Sequence, residues 1–211
     1  MSKLYTCLDL QKFDEAAQAC DMLLEFRQTK AAQGVPELEE RCVRAVVGGV
    51  LQKYASAKSS REHGPLDAAR RSLTRVNDLL DRLSATSKEP WIFETIAIFY
   101  SQVGRDEQVY ENLMKEYRSL QSVRGWEKDD AQVRKVCQVV TQIVRFQTDS
   151  KENIGKSKYL ITGVIKRVEQ SRIDKTKIPQ EIGRLKSLLD EIGNDSGLEQ
   201  QTEDNTIMTT R

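Results

Sequence analysis

The stretch EPWIFETIAIFYSQVGRDEQVYENLMKEYRSL, residues 89–120, contains two helical segments separated by a short turn at Val103-Gly104-Arg105. Apolar residues recur every three or four positions on both sides of this turn, which is the spacing of amphipathic α-helices. The first segment also has an order of large, small and glycine residues that suits close packing of two helices. The residues in this order are Phe93, Ile96, Ala97, Tyr100 and Gly104. The stretch therefore predicts a tightly packed helix–turn–helix unit.

The opening of the chain has the same design. In LYTCLDLQKFDEAAQACDMLLEF, residues 4–26, a break at LQKF separates two apolar patterns, and Phe13 precedes Ala16 by three positions. With further helix pairs near residues 36 and 126, four pairs would begin at about 1, 36, 90 and 126. Tetratricopeptide repeats have a period of about 34 residues, and a loop insertion at 55–65 would explain the one long interval.

These patterns predict an all-α protein. We expect a right-handed α-solenoid of about four degenerate tetratricopeptide-type helix pairs over residues 1–192, with a capping helix at 178–192. The tail, 193–211, has no apolar stripe and is expected to be disordered. A plain helical bundle is the alternative, because any bundle contains pairs of small and large residues at helical spacing.

Composition excludes several classes of function. Lys+Arg 33 against Asp+Glu 32 gives a net charge of +1, so overall charge favours neither nucleic acid nor an anionic membrane as partner. No apolar run reaches the ~18 residues of a membrane span, and the start lacks a signal-peptide core. We therefore expect a cytoplasmic or nuclear protein without a membrane partner. Four cysteines without CxxC spacing are expected to be buried thiols: Cys7, Cys20, Cys42 and Cys137.

The chain shows no pattern of catalytic or cofactor-binding residues. Its one histidine, His63, falls in the polar stretch predicted as a loop, without neighbouring metal ligands. Gly155-Lys156-Ser157 matches only the end of a phosphate-binding loop, because Ser150 stands where the motif requires glycine. The sequence therefore predicts a protein that is not an enzyme and has no metal, cofactor or small-molecule substrate.

One predicted binding surface is the inner wall of a solenoid groove. Mapping residues 90–104 onto a repeat places five residues there: Trp91, Glu94, Ile98, Ser101 and Gln102. An exposed Trp91 could anchor a peptide or helix, while the alternative places Trp91 in the core between repeats. The negative charge of Glu94 argues against a clamp for an acidic chaperone C-terminus.

A second candidate binding surface is the basic segment 151–177. Eight basic against three acidic residues leave an excess of five positive charges, which could contact the phosphates of RNA. Tyr159 is its only aromatic residue, and the alternative is an ordinary solvated helix face. The candidate patch residues are Lys156, Lys158, Lys166, Arg167 and Arg172.

Several segments, in order along the chain, resemble the C-terminal part of the tetratricopeptide repeat protein 27 family. They are FDEAAQACDMLLEFR, CVRAVVGGVL and GWEKDDAQVRKVCQVV, followed by IGRLKSLLDEI, and the likeness covers residues 4–192. The resemblance implies a large, intracellular, non-enzymatic protein with further repeats before this region, connected with chaperone-assisted assembly of complexes that include spliceosomal ribonucleoprotein. The predicted function is therefore a scaffold that binds other proteins during complex assembly, with RNA contact through 151–177 as the alternative.

Overall fold

The structure is a computed structural model that describes residues 36–60, 63–147, 151–171 and 180–193, together with Gln18, Met22, Ile173 and Ile178. All regular elements in these ranges are helical, which confirms the predicted all-α class. The helices are α1 (Pro36–Ser60), α2 (His63–Thr86), α3 (Pro90–Val103), α4 (Asp106–Ser122), α5 (Asp130–Gln147), α6 (Lys151–Gln170) and α7 (residues 180–193), with a 3-10 helix at Trp126–Lys128 before α5.

Some predictions fall on residues that the structure does not describe. The packing residues Phe13 and Ala16 of the opening helix pair lie outside the described residues, as does the tail after residue 193. A helix, α7, covers residues 180–193 in the region of the predicted capping helix at 178–192, and its role as a cap stays a prediction. Stacking of the helix pairs into a right-handed solenoid stays a prediction.

The chain divides into two compact units, residues 1–112 and 113–211. In the first unit, α1, α2 and α3 pack against one another. Short links join α1 to α2 and α2 to α3, so consecutive helices are antiparallel and α1 runs in the same direction as α3. The core between them is mainly aliphatic and includes Val43, Val46, Val47, Val50, Val76, Leu79, Leu80, Leu83, Ile92, Ile96 and Phe99.

The predicted loop at residues 55–65 is wrong. α1 continues to Ser60 and α2 begins at His63, so helix covers most of this stretch. Near the polar end of α1, Ala57 is buried, and Ser59 Oγ donates a hydrogen bond to the Ala55 carbonyl oxygen at 3.0 Å. The long interval between residues 36 and 90 therefore comes from two long helices of 25 and 24 residues.

The predicted turn at Val103-Gly104-Arg105 has a clear cause. Gly104 adopts the left-handed conformation, with φ +76°, and its N–H donates to the carbonyl oxygen of Tyr100. Glycine adopts this conformation without the steric penalty of a Cβ atom. At the other end of α3, Pro90 occupies the first turn, where it has no intrahelical N–H bond to lose. Sequence signals thus set both ends of α3.

In the second unit, α5 and α6 pack together and both contact the 3-10 helix. The Asp129 carboxylate caps α5 by accepting hydrogen bonds from the backbone N–H groups of Ala131 at 2.8 Å and Gln132 at 3.1 Å. The core side chains of this unit include Trp126, Val133, Val136, Val140, Ile143, Val144, Ile161, Val164, Val168, Ile178, Leu185 and Ile192.

Candidate binding surfaces

The five residues predicted to line a groove form one stripe along α3. Their side chains become more exposed along the helix: Trp91 and Glu94 are half-buried, whereas Ile98, Ser101 and Gln102 are exposed. The opposite side of α3 is buried in the core of the first unit. Of the residues predicted to pack the repeat, Phe93, Ile96 and Ala97 are buried and Tyr100 is half-buried. The stripe is therefore the part of α3 that a partner can reach.

Trp91 is mainly a packing residue. Its ring packs against the core of the first unit, and its indole Nε1–H donates to Glu89 Oε2 at 2.7 Å. The indole thus has an apolar contact and a hydrogen-bond partner within the chain. This placement gives Trp91 a packing role within the first unit, while its packing between repeats stays a prediction.

Glu94 is tied to α1. The Arg44 guanidinium donates to the Glu94 carboxylate through Nη2, and its Nε donates to Glu40 Oε1 at 2.8 Å. Burial alone would lower the pKa of Arg44, but the hydrogen bonds and charges of Glu94 and Glu40 outweigh it and raise that pKa above its usual value. This ion pair joins α1 to α3 at the edge of the stripe.

On both helices, the residue one turn after the ion pair is exposed to solvent. One helical turn beyond Arg44, Gly48 is exposed, and a Cβ built there would meet no atom within 4 Å. One turn beyond Glu94, the Ile98 side chain is 45% exposed. Gly48 and Ile98 thus each follow one member of the Arg44–Glu94 pair by four residues. We call Arg44, Gly48, Glu94, Ile98, Ser101 and Gln102 the α1–α3 surface.

The predicted basic patch lies mostly on α6. Lys156, Lys166 and Arg167 are exposed and Lys158 is half-buried, while Arg172 lies outside the described residues. Arg167 has structural contacts that the sequence did not indicate. Its Cζ lies 4.9 Å from the centroid of the buried Trp126 ring, and its Nη2 lies 3.8 Å from Glu127 Oε2. The second distance is that of an ion pair without a hydrogen bond.

The described cysteines are buried thiols. Cys42 and Cys137 are free and buried, as predicted, and burial raises the pKa of both. For Cys137, burial and the nearby charge of Glu181 raise the pKa to about 12. A thiol with such a pKa stays protonated at neutral pH and is a poor nucleophile. Neither cysteine therefore has the character of a reactive site.

Among the described residues, no three His, Cys, Asp or Glu side chains are grouped so that they could hold a metal ion. Across the same part of the chain, no helix has the length and apolar character needed to cross a membrane.

No known family model matches this chain, and no curated protein is significantly similar to it. The resemblance to the tetratricopeptide repeat protein 27 family, and the function it implies, therefore stay predictions.

Proposed function

We propose that this chain is a non-catalytic scaffold that binds other proteins through the α1–α3 surface. The observation that carries the proposal is the 45% exposure of Ile98 one helical turn beyond Glu94, with exposed Gly48 one turn beyond its ion-pair partner Arg44 on α1. A large apolar side chain next to open glycine surface provides an apolar anchor and lets a partner approach closely. Protein interfaces commonly combine such an anchor with a polar rim.

The chemistry of the surface favours an amphipathic helix as the bound segment. Ile98 would insert between apolar side chains of that helix, while Gly48 leaves room for its backbone. Ser101 and Gln102 supply a polar edge, although Ser101 Oγ already donates to the Ile98 carbonyl oxygen at 2.8 Å. Helix-in-groove recognition uses this combination of spaced apolar anchors and polar edges.

The wider role is inferred from the resemblance. A scaffold of this kind would assist assembly of multiprotein complexes in the cytoplasm or nucleus, with chaperone-assisted and spliceosome-related assembly as the implied setting. This part of the proposal depends on the partner, so the test must both identify proteins and locate their contact.

The test compares proteins captured from a cell lysate on three immobilised chains: wild type, Ile98→Asp and Thr74→Asp. Thr74 is an exposed residue of α2, so its variant adds the same charge away from the α1–α3 surface. All three captures are treated with nuclease and quantified by mass spectrometry. We expect a set of proteins that survives nuclease, is retained by Thr74→Asp and is lost with Ile98→Asp. Equal capture by the two variants would contradict the proposal.

A further inference from the structure

The outer face of α6 combines an exposed aromatic ring with cations. Tyr159 is 84% exposed, and Lys156 and Lys166 are exposed on the same face of the helix. The opposite face, with Ile161, Val164 and Val168, is buried in the second unit. Tyr159 is therefore available to an external ligand.

The neighbours of Tyr159 leave its ring accessible. Gly155 and Gly163 lie one helical turn before and after it, and a Cβ built at either position would meet no atom within 4 Å. Glycine inside a helix costs about 1 kcal/mol relative to alanine, and no close packing within the described residues requires it here. Without side chains at these two positions, a flat ligand can approach the ring along the helix.

The unit that carries this face has an excess of positive charge. Residues 113–193 contain 17 Lys and Arg against 11 Asp and Glu, whereas residues 1–112 contain 15 against 17. Two acidic groups of this unit are paired with cations: Lys186 Nζ lies 2.8 Å from Glu169 Oε1, and Arg167 Nη2 lies 3.8 Å from Glu127 Oε2. Lys156 and Lys166 are ten residues apart, which is about 15 Å along an α-helix. Phosphates of a short extended strand can contact both.

The other exposed residues of the face distinguish between classes of partner. Gly155, Thr162, Gly163 and Gln170 supply no large apolar side chain. A protein interface needs a buried apolar centre, whereas single-stranded nucleic acid needs a ring for stacking and cations for its phosphates. We propose that the outer face of α6 binds single-stranded nucleic acid, with Tyr159 stacking on a base and Lys156 and Lys166 contacting phosphates.

The test is fluorescence anisotropy of a labelled single-stranded oligouridine of about twelve nucleotides, titrated with the full chain over a range of salt concentrations. Tyr159→Ala is expected to weaken binding about tenfold, because stacking contributes about 1–3 kcal/mol per base. Tyr159→Phe keeps the ring and should retain wild-type affinity. Lys166→Glu should weaken binding and reduce its salt dependence.

Arg71→Glu is the matched control. Arg71 is exposed on α2 in the first unit, so this variant makes the same change in net charge away from α6. Circular dichroism would check that all variants are folded. Retained binding with Arg71→Glu, together with loss in Tyr159→Ala and Lys166→Glu, supports the proposal. Absence of binding by the wild-type chain, or equal weakening by Lys166→Glu and Arg71→Glu, would overturn it.

Discussion

The Arg167 guanidinium lies over the ring of Trp126, with Cζ 4.9 Å from the ring centroid. Trp126 is only 1% exposed, and the 3-10 helix that carries it contacts α5 and α6. The contact ties this short helix to α6. It also means that Arg167 stabilises the second unit and is a poor choice for testing the nucleic-acid surface.

Removing this contact should destabilise the protein. Arg167→Ala is expected to lower the free energy of unfolding by about 1 kcal/mol, the size of a cation–π interaction with a largely buried ring. The measurement is urea denaturation followed by far-ultraviolet circular dichroism. Lys166→Ala removes the same charge from the adjacent, exposed position and should lower the free energy of unfolding by less than Arg167→Ala does. Equal losses in the two variants would show that the Trp126 contact contributes nothing.

The Arg44–Glu94 pair should show measurable coupling between α1 and α3. We expect a double-mutant cycle with Arg44→Ala and Glu94→Ala to give a coupling energy of about 0.5–1 kcal/mol that falls with added salt. The side chains of this pair are 33% and 42% exposed. The control is the Arg70–Asp67 pair on α2, whose Nη1 and Oδ1 atoms are 3.4 Å apart. The side chains of that pair are 64% and 61% exposed. A coupling for Arg44–Glu94 no larger than for the control would contradict this account.

Ala97 and Ile98 are adjacent in sequence but should respond differently to substitution. Ala97 is 4% exposed and Ile98 is 45% exposed. Ala97→Leu forces extra methyl groups into the core of the first unit and should cost about 1–3 kcal/mol of stability. Ile98→Leu keeps the side-chain volume at an exposed position and should leave the stability of the protein nearly unchanged. Thermal denaturation of both variants checks this, and similar melting temperatures would show that Ala97 is not tightly packed.

The stability contributed by Cys137 should depend on pH. Its pKa is raised from 9.0 to about 12 in the folded protein, so this contribution is fully present below about pH 9 and is lost as pH rises towards 12. Within that window the loss is about 1.4 kcal/mol per pH unit. Cys137→Ala cannot ionise, so the stability advantage of wild type over this variant should shrink over the same window.

The measurement is chemical denaturation of wild type and Cys137→Ala between about pH 8 and pH 10. The pKa values of Cys42, Tyr100 and Tyr117 are also raised by burial. These groups are present in both proteins, so they cancel in the difference. Parallel stability curves would mean that the Cys137 thiol ionises as readily in the folded chain as in the unfolded one.

Helix positions were predictable where the sequence has local signals. Pro90 and Gly104 bound α3, Asp129 caps α5, and apolar spacing indicated α7. The predicted loop at 55–65 is wrong because polar composition alone does not end a helix. The breaking residues, Gly64 and Pro65, lie in the first turn of α2, where proline is tolerated.

The contacts that shape the candidate surfaces were less predictable. Arg44 and Glu94 are 50 positions apart, so helical periodicity within either segment could not pair them. Arg167 is predicted only as a member of the candidate basic patch, and its position over Trp126 depends on how α6 packs against the 3-10 helix. The stripe on α3 was predictable from spacing, but the exposure of each residue along it depends on tertiary packing.

The most direct test of the scaffold proposal is photo-crosslinking at single positions. A photoreactive phenylalanine analogue replaces Ile98 in one chain and Thr74 in another, and each is irradiated in a nuclease-treated cell lysate. We predict a discrete set of protein adducts from position 98, identified by mass spectrometry, that position 74 does not give. Adducts that are absent at position 98, or the same at both positions, would contradict the proposal that the α1–α3 surface binds proteins.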